Sequence, residues 1–422
     1  MNKIIEQLLS LSLLTMPVLV LTVHHGAGIS AIIILLLSLW VLSIKYPVNI
    51  SLSNKEKVLI FSLVLFPIII IFDVILRELQ LRYLDYYLRF ILVIPIYFAL
   101  KESKSDLRPL FIGILLGSIG AGLFSLYQFS LYQSYYININ NERISGFLNA
   151  VSFGNISLLL AVMSLAGLFL VKEMKFKKIG IVVCLLAFFM GLIGSIIAGS
   201  RGGWLAIPFF IILFLIYTPI KNRYKLAGLV ISVIIMLGPY YSNAYVEQRV
   251  NTGYTNAKDY LTAAESVDQS RVAQTSAGAR LEMWKAAWLI FKENPIFGVG
   301  SGDYSQELIT KMDAGEIERM PAYTHAHNEL LHILAITGVV GFLGYLIFYA
   351  GITYYFFSTL LESHNAKEKY LSFIGILLVV GFFIFGLTSY SFAHHTMVLF
   401  FSIMVVSLAG MIGSIERDLK TA

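Results

Sequence analysis

Charge is scarce in this chain. Only 13% of its 422 residues are Asp, Glu, Lys or Arg, against roughly 25% in soluble domains. That shortfall excludes an ordinary soluble globular protein. Cysteine is almost absent. The single Cys184 falls inside an apolar run, which excludes an intrachain disulfide and argues against a Cys-ligated metal site. No Asp-x-Asp pair occurs, and Glu316-Ile317-Glu318 is the only close carboxylate pair in the long polar segment before residue 326. No internal repeat of the kind common in transporters is visible.

What fills the chain instead is apolar. Hydrophobic residues make up 58% of it and the mean hydropathy is +0.78. A membrane span needs about 20 largely apolar residues. Twelve candidate segments meet or approach this: 4–22, 28–44, 58–76, 87–100, 109–132, 150–171, 179–198, 204–218, 226–242, 331–358, 370–388 and 396–413. The expected fold class is an all-α polytopic membrane protein of about 12 transmembrane helices. Helices satisfy every backbone group within lipid, which an irregular chain does not. Lys3 followed by an apolar run resembles a signal peptide. No small-residue cleavage site follows and Pro17 interrupts the run, so it reads as an uncleaved first span.

The few charges set an expected orientation. With both termini cytoplasmic, the inner segments hold 18 of the 31 basic residues. Short outer segments hold five: Arg77, Arg82, Arg89, Arg143 and Arg201. This is a positive-inside bias. It accounts for most of the +6 net charge, and nothing points to nucleic acid. Seven of the eight histidines then lie outside, with only His364 inside.

One large outer loop, 243–326, separates spans nine and ten within a single transmembrane domain, 1–422. Its first part, Asn251 to Ser276, is polar. A helix follows, with Leu281, Trp284, Trp288 and Phe291 on one face. Two Trp on an amphipathic helix suit a membrane interface or the top of the bundle. Pro295 ends it, and the Gly-rich run Ile296-Phe-Gly-Val-Gly-Ser-Gly-Asp303 comes next. Packing does not explain Arg280, at the polar head of that helix.

Arg201 is a second anomaly. It stands in the turn Ala198-Gly-Ser-Arg-Gly-Gly-Trp204. Flanking glycines expose backbone N–H groups, and a guanidinium matches phosphate oxygens without losing its charge. The plain alternative is an interfacial Arg paired with lipid headgroups. A third anomaly is the polar entry to span ten, His325-Ala-His327-Asn328, with His332 beyond it. Imidazoles at a water–membrane edge suit proton handling. His327 and His332 are five residues apart, about 140° off one helical face, so they do not converge on a metal. Gly338, Gly341 and Gly344 let a neighbouring helix come close.

Ser200-Arg-Gly-Gly-Trp204, the Arg280 helix ending in Asn294-Pro-Ile-Phe-Gly-Val-Gly300, and His327-Asn328 followed by Gly338-Val-Val-Gly341 resemble the bacterial O-antigen ligase and polymerase superfamily. The resemblance covers about residues 195–345. It implies a GT-C-like membrane glycosyltransferase that moves a glycan from undecaprenyl diphosphate to a sugar hydroxyl of lipid A–core oligosaccharide. It implies inversion at the anomeric carbon and neither cofactor nor metal. It places the active site on the periplasmic face of the inner membrane.

Residue chemistry points the same way. A departing lipid diphosphate gathers negative charge, which fixed cations stabilise, and Arg201 and Arg280 are the candidates. The attacking hydroxyl needs a general base, for which His327 is the candidate. His325, Asn328, His332, Arg77, Arg82 and Arg89 are substrate-contacting candidates, against a plainer reading as orienting or headgroup-facing residues. His24, His25, His394 and His395 map to the outer face with no assigned role. Three alternatives stay open: an O-antigen polymerase, a protein O-oligosaccharyltransferase of the same superfamily, and a transporter. Span centres almost free of charge speak against translocation.

Overall fold

The computed structural model describes residues 2–46, 51–135, 146–171, 175–217, 251, 254–255, 258 and 273–421. The described residues are helices, turns and loops, with no strand among them. Among the described residues, ten helical segments are long and apolar enough to cross a membrane. They coincide with ten of the twelve expected spans, and the chain is a multi-pass membrane protein. The expected eighth span is a shorter apolar helix, Arg201–Tyr217. The expected ninth, 226–242, lies outside the described residues, as does most of the first part of the expected 243–326 loop.

The first span is broken into α1 (Asn2–Ser12) and α2 (Thr15–Thr22). Then come α3 (Gly26–Ile44) and α4 (Asn54–Leu76). The fourth span is a 3-10 turn followed by α5 (Asp85–Leu92) and α6 (Ile94–Glu102). Pro95 sits in the first turn of α6, where a missing N–H costs no helical hydrogen bond. Next are α7 (Leu107–Tyr135), α8 (Ala150–Ala166), the single turn α9 (Leu168–Val171), α10 (Lys177–Ala198), α11 (Arg201–Trp204) and α12 (Ile207–Tyr217). After the long loop come α13 (Ser276–Glu293), α14 (Tyr304–Asp313), α15 (Glu329–Glu362), α16 (Ala366–Gly386) and α17 (His395–Thr421).

Helices α8, α16 and α17 are enclosed, whereas α3, α4 and α10 turn much of their apolar surface outward. Helix α15 packs along α4 and α16, α17 along α6, and α10 along α7 and α8. At one end, polar contacts tie three helices together. Lys101 at the end of α6 pairs with Glu56 at the start of α4 at 2.7 Å, and Arg417 of α17 donates to Lys101 O at 2.7 Å. The His and Arg residues singled out by sequence lie at the opposite ends of these helices.

Helix α13 buries Ala279, Met283, Ala286, Ala287 and Ile290, and it packs on α15. Its inward stripe is therefore one of small and slender side chains. On the aromatic face Trp288 is turned outward, 48% exposed, while Trp284 and Phe291 are half-buried. This is the arrangement an interfacial Trp favours.

The glycines of α15 do something the sequence did not suggest. Gly338 is non-helical, at φ 59° and ψ −161°, and breaks α15 in its third turn. The helical hydrogen bonds lost there are replaced by the loop at 295–300. Val339 and Val340 donate to Pro295 O and Ile296 O at 2.8 and 3.2 Å. Val299 and Gly300 donate to Ala335 O and Ile336 O at 3.0 and 2.9 Å. A Cβ on Gly338 would stand 2.4 Å from the Ile296 carbonyl carbon, and one on Gly298 would stand 2.3 Å from that of Ile336. So a loop backbone, rather than a second helix, lies against Gly338. Gly344 keeps the expected role, since it faces Ile69 of α4.

Candidate active site

Three elements carry the three residues assigned by sequence, and the fold brings them together. Arg201 begins α11, two residues after Gly199 at φ 63° and directly after the N-cap Ser200. Ser200 fixes this turn by donating to Asn155 Oδ1 of α8 at 2.7 Å. Gly203 lies against the same Asn155, where a Cβ would come within 2.1 Å of Oδ1. The guanidinium-bearing residue is exposed.

Arg280 stands one turn into α13, whose N-cap Thr275 accepts from Gly278 N–H at 3.1 Å. Burial lowers the pKa of Arg280 and the Arg201 charge lowers it further, while Tyr323 opposes the shift. The two guanidinium groups are thus close enough to repel. Two cations held against their mutual repulsion create a strongly positive spot, suited to an anion.

His327 lies just outside α15. Asn328 is the N-cap, its Oδ1 accepting from Leu331 N–H at 3.1 Å. His327 itself is left-handed, at φ 48°, a conformation that costs a non-glycine residue about 1–2 kcal/mol. Its ring lies 4.2 Å from that of His325, edge to face, and its N–H donates to His325 Nδ1 at 3.3 Å. Burial, then Arg280, then His394 push the His327 pKa down to about 4. Burial, His327 and His394 push His325 down to about 3. Both imidazoles are therefore neutral at pH 7, and His325 Nδ1 is the unprotonated nitrogen.

His332 is buried one turn further along α15. Its ring is held between Tyr304 at 4.9 Å and Tyr390 at 4.5 Å. That places it behind His325, whose ring is 6.4 Å away, and away from the open side of the site. Asn328 spends its Nδ2 on Leu387 O at 3.1 Å. Among the described residues, no three His, Cys, Asp or Glu side chains are grouped to hold a metal ion.

The outer arginines divide. Arg77 pairs with Asp73 at 2.8 Å and donates to the carbonyls of Phe297, Gly298 and Val299 at 3.2, 2.9 and 3.2 Å. It therefore fastens the loop that patches α15. Arg82 lies over the Tyr83 ring at 5.1 Å and stays exposed. Arg89 pairs with Asp85 at 2.8 Å and reaches His395 O at 3.3 Å.

Two histidine pairs separate in the same way. His24 packs on Phe147 at 5.7 Å. His394, by contrast, is part of the site through its effect on His325 and His327. Sequence reading gave it no role, and its arrival depends on a turn 67 residues after His327, a separation no motif spans. Glu329 was also passed over. It is fully buried in the first turn of α15. At the very start of the helix a carboxylate looks like an ordinary partner of the helix dipole, so its sequence position carries no signal of burial.

Comparison with known proteins adds to this geometry. Residues 185–346 match the family described as O-antigen ligase. The match includes Arg201, Arg280 and His327, and shows the resemblance read from those motifs. It implies transfer of lipid-linked glycans. An uncharacterized protein of Haemophilus influenzae is 26% identical over 367 residues, which is 85% of this chain and 87% of that protein.

Proposed function

We propose that this chain is an inverting, metal-independent glycosyltransferase that joins a glycan from undecaprenyl diphosphate to a sugar hydroxyl of lipid A–core oligosaccharide. The observation that carries the reading is the electrostatic coupling of Arg201 to Arg280 and of Arg280 to His327. These residues lie in three elements far apart in sequence. The proposed architecture is GT-C-like with twelve spans, both termini cytoplasmic and the site facing the periplasm. Membrane lipids surround the bundle.

In the proposed step, the acceptor oxygen attacks the anomeric carbon of the donor glycan. The bond from that carbon to the diphosphate oxygen breaks, and the diphosphate keeps the electron pair. Arg201 and Arg280 stabilise the charge that develops on it. The hydroxyl proton passes to His327, which burial and then Arg280 keep neutral beforehand. Attack opposite the leaving group inverts the centre. Arg82, exposed at the outer loop beside Tyr83, is the proposed contact for anionic groups of the acceptor.

Deletion followed by a lipopolysaccharide gel tests the substrate assignment. Loss of the long-chain ladder with accumulated lipid-linked polymer is the expected outcome. A single repeat retained on the core would instead assign a polymerase. An unchanged ladder with a missing glycoprotein would assign protein glycosylation.

A further inference from the structure

The O-antigen ligase match ends at residue 346, but a later segment, residues 387–394, touches both halves of the site. On the base side, Asn328 donates to Leu387 O at 3.1 Å, and Ser391 N–H donates to Glu329 Oε2 at 3.2 Å. Asn328 and Glu329 directly follow His327. On the cation side, Thr388 lies against Gly202, next to Arg201. A Cβ built on Gly202 would stand 2.2 Å from Thr388 Oγ1. The same segment carries Tyr390, whose ring packs 5.7 Å from that of His325, and it ends in His394.

Glu329 is a costly way to hold a loop unless the loop matters. The carboxyl is fully buried, and Oε1, His332 Nδ1 and Ser391 Oγ are buried with no hydrogen-bond partner among the described residues. Unsatisfied polar atoms of this kind are rare and disfavoured in native interiors. Gly386 makes room for the side chain, since a Cβ there would come within 2.9 Å of Oε2. The burial thus serves one evident contact, the anchor at Ser391.

We propose that Asn328 and Glu329 are positioning residues that clamp the segment 387–394, and that this segment sets the spacing between the Arg201 cation and the His327 base. The proposal rests on the roles given to those two residues above. A catalytic pair on separate elements needs such a spacer. A displacement of about 1 Å in a reacting pair lowers turnover by about 100-fold while leaving ground-state binding largely intact.

The test uses the full chain in lipid nanodiscs with lipid-linked donor and core acceptor, and hydrogen exchange as a readout independent of turnover. Glu329→Ala removes the acceptor oxygen, and Glu329→Gln keeps one. The expected result is a kcat lowered about 100-fold in Glu329→Ala, with KM for both substrates little changed and faster amide exchange at residues 387–394. Glu329→Gln recovers most of both. Gly202→Ala, which presses on Thr388, lowers kcat, and Gly202→Ala with Thr388→Ala restores it. This second pair carries the test if Glu329→Ala does not fold. Faster exchange with wild-type kcat, or a lost kcat with unchanged exchange, overturns the proposal, as does an effect on KM alone. Transfer retained by His327→Ala would instead overturn the base assignment, and the exchange data would still report whether the clamp exists.

Discussion

The backbone N–H of His327 donates to Nδ1 of His325 at 3.3 Å. This bond holds the proposed base in a left-handed conformation and consumes the unprotonated nitrogen of its neighbour. His325 thus acts on His327 twice, through the backbone and through ring contact at 4.2 Å.

Replacing His325 by Asn should preserve part of this, because the Asn carbonyl oxygen falls near the position of Nδ1. His325→Ala removes the acceptor. We expect it to lose about 1 kcal/mol of stability and most of its turnover, with His325→Asn in between. Thermal midpoints in detergent and single-turnover transfer rates check this ordering. Equal loss in the two variants would remove the acceptor role.

Acid should weaken the fold through these histidines. Their ordinary pKa is 6.5, and the folded protein depresses His327 to about 4 and His325 to about 3. The unfolded chain binds protons first as pH falls. The stabilisation is complete above pH 6.5 and is lost progressively as pH drops toward the folded values. Thermal midpoints across this window should fall, and His325→Asn/His327→Asn should flatten the slope.

Turnover should show the same depressed base. The acid limb of kcat/KM, which reports the free enzyme, is expected near pH 4. The limb of kcat should lie higher, because a bound diphosphate offsets the arginine charges and favours the imidazolium. Coincident limbs would show that the donor does not sit beside His327.

Arg280→Ala removes the cation that most affects His327 after burial. Transfer should fall by about 100- to 1000-fold, the usual effect of losing one transition-state stabiliser. The acid limb should move up as the repulsion disappears. Arg280→Lys should not fully recover activity, since a point charge lacks the planar fork.

Arg77 offers a contrast. Its donors go to Asp73 and to the carbonyls at 297–299, so Arg77→Ala should lower the thermal midpoint and leave acceptor KM unchanged. Gly338→Ala should be more severe, by about 2–5 kcal/mol. It adds strain at φ 59° to a Cβ 2.4 Å from backbone. A mild Gly338→Ala would contradict the interlocked loop.

Much of this was legible in the residues. Apolar runs pointed to twelve spans, and ten of them are long apolar helices among the described residues, because burying a backbone in lipid leaves the helix as its main solution. The isolated Arg201, Arg280 and His327 stood out because polar groups in such a chain need a reason to be there. What the runs did not reveal was the break in α15. Gly338 sits in a helix-like hydropathy pattern, and its ψ of −161° depends on carbonyls supplied by residues 295–300. Arg77 read as a cation facing substrate or lipid headgroups for a similar reason, as its carbonyl partners lie more than 200 residues away.

Local physics therefore determined the class of this protein, its candidate spans and the chemistry available at their polar ends. Hydropathy and charge act residue by residue and can be read without a partner. Tertiary structure alone decided which of those polar groups meet. It set Arg280 against Arg201 and His327, drew in His394 and buried Glu329 under a distant turn. Electrostatic coupling and close packing depend on distance in space, and helices joined by long loops do not encode that distance in their order.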